Sequence, residues 1–265
     1  MITDKNITFI CHVRLDNRLR EKNIILIYKY YKKYLPNARF IFVEDSKIST
    51  LSNVINLQNN DIIIHKVNEY QHLKGASYNI GAEQCNTDIL IFLDIDVIID
   101  CDKLLSVINN ITNSACIIGY NGIALYYNLE SEKDFAHTLD IKDLNKFTKT
   151  LKFINNEKTE HLLVGNVNAV GGCLIMHKST YSKINGFNPY FTGWGFEDNE
   201  IIIRAKKLGI EVYKSNLTDH FLYHLEHSID NQDKSDHIFY NKNENILNFV
   251  KSLTPQLLTS YIKQW

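Results

Sequence analysis

Ile89-Leu90-Ile91-Phe92-Leu93-Asp94-Ile95-Asp96 is the stretch on which the fold turns. Five unbroken apolar residues after the turn-forming Asn86-Thr87-Asp88 read as a buried strand. The run ends in two aspartates, which are costly to bury unless a cation pairs with them. Ligands of α/β sheets gather at the carboxyl ends of strands, so a divalent metal carrying a diphosphate is the expected partner. Asp-x-Asp also occurs in unrelated phosphate enzymes, so its meaning depends on what accompanies it.

Outward from this strand the first half alternates. Strands are expected at Ile7 to Val13, Arg39 to Val43, Ile62 to Lys66 and Ala115 to Tyr120, with helices at Arg18 to Tyr34, Gly75 to Cys85 and Asp102 to Ile111. Leu35-Pro36 stops the first helix, because the residue before a proline is pushed out of helical space. The alternation predicts an α/β fold with a mostly parallel, doubly wound sheet. Residues 128 to 161 are polar with little period and read as an excursion over the active-site face. The second half restarts with strands at Val164 to Val170 and Cys173 to His177, separated by Gly171-Gly172. A short helix from Ser179 to Ile184 ends at the left-handed stop Asn185-Gly186, and a helix from Glu197 to Leu208 leads to a strand at Ile210 to Lys214. Residues 1 to 230 form the expected main domain. Residues 231 to 265 are a helical extension whose apolar residues can dock on the domain, on a second copy or on a membrane surface, the first being the default.

The second decisive stretch is Phe191-Thr192-Gly193-Trp194-Gly195-Phe196-Glu197-Asp198-Asn199-Glu200. Two glycines let the backbone turn tightly around Trp194, whose ring offers a flat apolar platform. The acidic residues that follow open a helix. They can simply complement its dipole, or they can hold and deprotonate a hydroxyl.

The chain has 265 residues, 29 Lys plus Arg against 30 Asp plus Glu, and 45% hydrophobic residues. That size suits one domain with a small appendage, and the balanced charge argues against a nucleic-acid partner. The five cysteines lack any Cys-x-x-Cys and read as small buried thiols in a reducing compartment. Met1 to Lys5 show no leader, and the longest apolar run is broken by Asp94 and Asp96. These features predict a cytoplasmic protein with no signal peptide and no transmembrane segment.

Four motifs carry a family resemblance over roughly residues 7 to 230: Val13-Arg14-Leu15-Asp16 after the first strand, Val43-Glu44-Asp45-Ser46 after the second, Asp94-Ile95-Asp96, and Gly171-Gly172 followed by Trp194 to Glu200. Together they resemble inverting glycosyltransferases of the GT-A fold, around the β-1,4-galactosyltransferase and chondroitin-polymerase type and their bacterial capsule relatives. The resemblance implies transfer of a hexose or N-acetylhexosamine from a UDP-sugar to a hydroxyl of a glycan or glycolipid acceptor, in surface polysaccharide synthesis.

It also implies residue roles. Asp198 is the expected catalytic base, with Trp194 and Glu197 on the acceptor. Asp96 and His227, with His224, are the expected metal ligands. Imidazole plus carboxylate suits Mn²⁺ better than Mg²⁺, which stays an alternative. Arg14, Asp45, Lys74, Asp94 and Gly172 are expected around the donor, with Asp45 accepting the uracil N–H. Asn79 matches an Asn-x-Gly position without a clear role. Ala169 stands where galactose-specific relatives place a bulky aromatic, which leaves room for an N-acetyl group. Two rival readings are an aspartate-nucleophile phosphatase built on Asp94 and a catalytically silent glycan-binding module.

Overall fold

The computed structural model describes residues 2–58, 60–68, 72–110, 116–119, 125–126, 129–148, 170–193, 195–214, 222–225 and 239–265. Its main sheet begins with β1 (Ile7–Val13), β2 (Arg39–Ser46) and β3 (Ile62–Val67), followed by β4 (Ile89–Leu93). β6 (Cys116–Gly119), β8 (Cys173–His177) and β9 (Glu211–Lys214) complete it, in the order β3-β2-β1-β4-β8-β6-β9. The first four strands pair in parallel, and β8 runs antiparallel to both of its neighbours. A small sheet joins β5 (Val97–Ile99), β10 (Leu222–His224) and β7 (Leu125–Tyr126) in the order β5-β10-β7.

Alternation along the buried strands sorts side chains to the two faces of the main sheet. Phe9, Cys11, Phe40 and Phe42 face a core shared with α1 (Arg18–Tyr34), where Tyr28 and Tyr31 pack on the phenylalanine rings. Ile10, Ile41 and Val43 face the other side, against α2 (Lys74–Glu83), α6 (Lys178–Ile184) and α7 (Glu197–Lys207). Gly81 lets α2 sit close to the sheet, since a Cβ there would fall 2.4 Å from Ile10 Cγ2. α3 (Cys101–Asn110) buries Leu104 and Ile108 in the first core.

Two expectations need correction. Part of the polar stretch expected as an excursion is helical, as α4 (Leu129–Thr138) and α5 (Ile141–Thr148). Phe135 and Leu144 are buried in the first core, and Phe135 packs on Tyr30 at 5.5 Å between ring centroids. The two aspartates that end the apolar run lie beyond the strand, in a turn. β4 stops at Leu93, and the following residues turn, with Val97 N–H donating to Asp94 O at 3.2 Å. The expected strand at Val164 to Val170 lies outside the described residues apart from its last residue.

The C-terminal helices, Tyr240–Ser252 and Pro255–Tyr261, dock on the domain. Val250, Leu258 and Ile262 pack with Leu208, and Lys207 donates to Leu253 O at 2.7 Å. Asn185, in the left-handed region at the end of α6, donates to the carbonyls of Ile262 and Trp265 at 2.6 and 2.7 Å. Among the described residues no helix is long and apolar enough to cross a membrane.

Candidate active site

Lys74 opens α2, the positive end of a helix dipole and an unfavourable place for a partly buried cation unless carboxylates offset it. Three do. Its Nζ lies 3.0 Å from Asp94 Oδ1, 3.3 Å from Asp198 Oδ2 and 3.7 Å from Glu197 Oε1. Burial pushes the ammonium toward its neutral form, but the charges of Asp198, Asp94 and Glu197 win and hold its pKa well above the ordinary lysine value. Tyr78, one turn further along α2, donates to Asp94 Oδ1 at 3.0 Å, and Gly172 O accepts from Asp94 N–H at 2.9 Å.

The two carboxylates that share Lys74 most closely titrate in opposite directions. Burial would raise Asp94, but Lys74 and the Tyr78 hydrogen bond hold it below the usual range. At Asp198 burial dominates, and Glu197 and Asp94 add repulsion. Against the pull of Lys74 its pKa is pushed up to about 7. A carboxylate poised there is a better base at neutral pH than an ordinary aspartate.

Gly171 makes room for this residue, since a Cβ there would fall 2.8 Å from Asp198 Oδ2. Gly172, with φ of +90°, carries the turn that lies against Val97 and Leu222. The acidic cluster at the start of α7 therefore divides. Glu197 and Asp198 face Lys74, whereas Glu200 is fully buried and bidentate to Arg204 at 2.9 Å for both bonds. Arg204 also donates to the carbonyls of Ile184 and Gly186, so Glu200 serves the fold.

Asp96 and His224 face one another on the β5–β10 side, with His224 Nε2 3.5 Å from Asp96 Oδ1. The Leu225 carbonyl can only accept, so His224 Nδ1, 3.1 Å away, carries the proton. In the neutral ring a lone pair on Nε2 then faces a carboxylate oxygen. That arrangement calls for a proton or a metal between them, and a backbone carbonyl holding the far ring N–H is how metal-ligating histidines are oriented. The donor set therefore fits a divalent metal of the Mn²⁺ type. Among the described residues no group of three or more His, Cys, Asp or Glu side chains is arranged to hold a metal ion. His227, Trp194 and Ala169 lie outside the described residues.

On the donor side, Arg14 Nη1 is buried without a hydrogen-bond partner among the described residues. Burial together with the charges of His12, Arg14 and Arg20 pushes His72 down to about 3. This cationic zone at the end of β1 suits an anionic group. Asp45, expected to accept the uracil N–H, has protein partners in this structure. Its side chain is enclosed, accepting from Asn68 at 2.7 Å and Leu73 N–H at 3.1 Å, with His12 Nε2 at 3.3 Å. Burial acts to raise its pKa, yet these partners hold it down at about 2, so Asp45 braces the segment leading into Lys74. Asn79 is also a brace, bonded to both backbone groups of Phe187 at 2.8 Å. The sequence reading named Gly171 only within a motif, without a role, and missed Tyr78, which was signalled by its i+4 spacing from Lys74.

A parallel half-sheet, an acidic crevice at the carboxyl ends of its strands and an antiparallel β8 define a glycosyltransferase domain of the GT-A fold. The sequence model described as "Glycosyltransferase like family 2" matches residues 9–228, and the chain belongs to that family. Curated relatives include beta-1,4-galactosyltransferase 7 of Drosophila melanogaster, 36% identical over 45 residues, which are 17% of this chain and 14% of that protein. The mouse protein of the same name is 31% identical over 83 residues, 29% of this chain and 25% of the relative. The matched segments thus span a quarter or less of these relatives. Among solved structures, GalNAc-T7 with UDP, GalNAc and Mn²⁺ is similar in fold, with a TM-score of 0.56, 11% identity, and coverage of 84% of this chain and 44% of that one. The catalytic domain of Drosophila β1,4-galactosyltransferase 7 with xylobiose gives a TM-score of 0.49 and 14% identity over 87% of this chain and 79% of that chain.

Proposed function

We propose that the chain is a metal-dependent inverting glycosyltransferase moving a hexose or N-acetylhexosamine from a UDP-sugar to a glycan hydroxyl. The observation that carries this reading is the Lys74-centred cluster, in which Asp198 is partly buried, raised toward neutrality and given space by Gly171. Asp198 takes the proton of the acceptor hydroxyl as its oxygen forms the new bond to the anomeric carbon. The bond from that carbon to the diphosphate breaks on the opposite face, and UDP leaves with the electron pair. A carboxylate remains a modest base, so the proton moves late, as positive character grows on the sugar.

Glu197, beside the base, orients a hydroxyl. Lys74 offsets the repulsion between Asp94 and Asp198, and Arg14 offers its guanidinium, with Nη1 buried, to the donor. Asp96 and His224, joined by His227, would hold Mn²⁺, which supplies charge neutralisation for a departing diphosphate. The manganese and UDP in the GalNAc-T7 structure support that choice.

The test is UDP release from UDP-Gal, UDP-Glc, UDP-GalNAc and UDP-GlcNAc in Mn²⁺. Release from at least one donor, lost with EDTA, is expected. Release from none, or hydrolysis of an aryl phosphate instead, contradicts the reading.

A further inference from the structure

Asn243 is fully buried on the Tyr240–Ser252 helix, a poor place for a carboxamide unless its bonds are filled. Its Nδ2 donates to Thr192 O at 2.8 Å and to Gly195 O at 3.2 Å, and its Oδ1 accepts from Thr192 N–H at 3.3 Å. Lys242, the preceding residue, donates to Thr192 Oγ1 at 3.3 Å. One side chain thus grips the backbone at residues 192 and 195, immediately before the helix that carries Glu197 and Asp198.

The next residue shows why a grip is needed. Phe196 caps α7 in the left-handed region, φ 72°, a conformation that a large L side chain adopts only when its surroundings impose it. Its ring packs on Tyr240 at 4.7 Å between centroids, and Tyr240 also lies over Gly195. Phe196 O then accepts from Glu200 N–H at 2.8 Å, which starts the helix. From the opposite side Gly193 N–H donates to His72 O at 2.8 Å, two residues before Lys74.

We infer that Asn243, backed by Tyr240, is a positioning residue that aims Glu197 and Asp198 into the crevice, making the C-terminal helix part of the reaction machinery. The inference rests on the glycosyltransferase reading above. No atom of Asn243 needs to reach a substrate. It acts by fixing the backbone turn that aims the base, and small misplacements of such groups cost far more in turnover than in binding.

Asn243→Ala and Tyr240→Ala are compared with the parent for UDP-sugar turnover in Mn²⁺ with water as acceptor. Asn243→Ala is expected to lower kcat about tenfold or more with donor KM held within about twofold. The melting-temperature rise on adding UDP with Mn²⁺ should match the parent's. An unchanged kcat overturns the inference, and so does a parallel loss of kcat, donor KM and melting temperature. Should Asn243→Ala not fold, Tyr240→Ala, at the exposed start of the helix, decides on the same readouts. Amide exchange over residues 192–200 should quicken in Asn243→Ala while β4 stays protected, and unchanged exchange there also overturns the inference. Absence of any turnover in the parent defeats the glycosyltransferase reading, whereas the exchange result still judges the clamp.

Discussion

Lys74 Nζ stands 3.3 Å from Asp198 Oδ2, so the proposed base is ion-paired with the first residue of α2. The same ammonium also lies 3.0 Å from Asp94 Oδ1, which links the two carboxylates. It also fixes how activity and stability depend on pH.

Asp198 must be ionised to accept a proton, and burial, with Glu197 and Asp94 adding to it, pushes its pKa up to about 7. kcat/KM should therefore rise with pH and level off above that value. Lys74 pulls the pKa down, so Lys74→Met should move the limb to higher pH; an unmoved limb would remove Lys74 from this role. Stability follows the opposite course. A carboxyl raised on folding stabilises the fold most fully below its unfolded pKa, and that contribution is lost as pH rises through about 7. Asp198→Asn should flatten this decline in chemical denaturation measured from acid to neutral pH.

Gly171→Ala places a methyl group 2.8 Å from Asp198 Oδ2, so the carboxylate must rotate away. Turnover should fall by about tenfold or more, the usual scale for a misaimed group. The thermal shift with UDP and Mn²⁺ should survive, because the methyl does not touch the metal pair. Normal turnover in this variant would mean that Asp198 works from another position.

Glu200→Gln leaves the buried Arg204 without its counter-charge. Breaking one partner of such a pair costs about 3–5 kcal/mol. Urea titration should show a loss of that order with the denaturant slope unchanged. A loss within experimental error would place the support of Arg204 on the carbonyls of Ile184 and Gly186.

Much of this was legible in the sequence. β1, β4, β8 and α1 fall where apolar runs and the Leu35-Pro36 stop put them, because those signals are local. Asp198 and Glu197, which lie beside Lys74, belong to one short motif that the sequence singles out. Three features were hidden. α4 and α5 carry few apolar residues, and their burial through Phe135 and Leu144 depends on partners far along the chain. Asp45 was placed beside uracil by the resemblance alone, which does not signal the donors at positions 12, 68 and 73 that enclose it. The role of Asn243 rests on a contact about fifty residues away, which no spacing rule signals.

Asp96→Ala and His224→Ala test the metal pair. UDP with Mn²⁺ should raise the melting temperature of the parent more than UDP with EDTA, since binding stabilises by roughly 2.7 kcal/mol at a hundredfold excess over the dissociation constant. Both variants should lose that difference. An equal shift with and without metal in the parent would mean that Asp96 and His224 hold no metal for the diphosphate.

The most direct measurement of the central claim is turnover of a UDP-sugar by Asp198→Asn, with donor binding and product configuration followed in parallel. The substitution keeps size and hydrogen bonding while removing the base. kcat should fall by about 10² to 10⁴, or about 3 to 5 kcal/mol of barrier. The UDP–Mn²⁺ thermal shift should stay as in the parent, and nuclear magnetic resonance of the parent's product should show a β linkage from an α-linked donor. Near-normal turnover by Asp198→Asn, or a product that keeps the α configuration, would contradict the account.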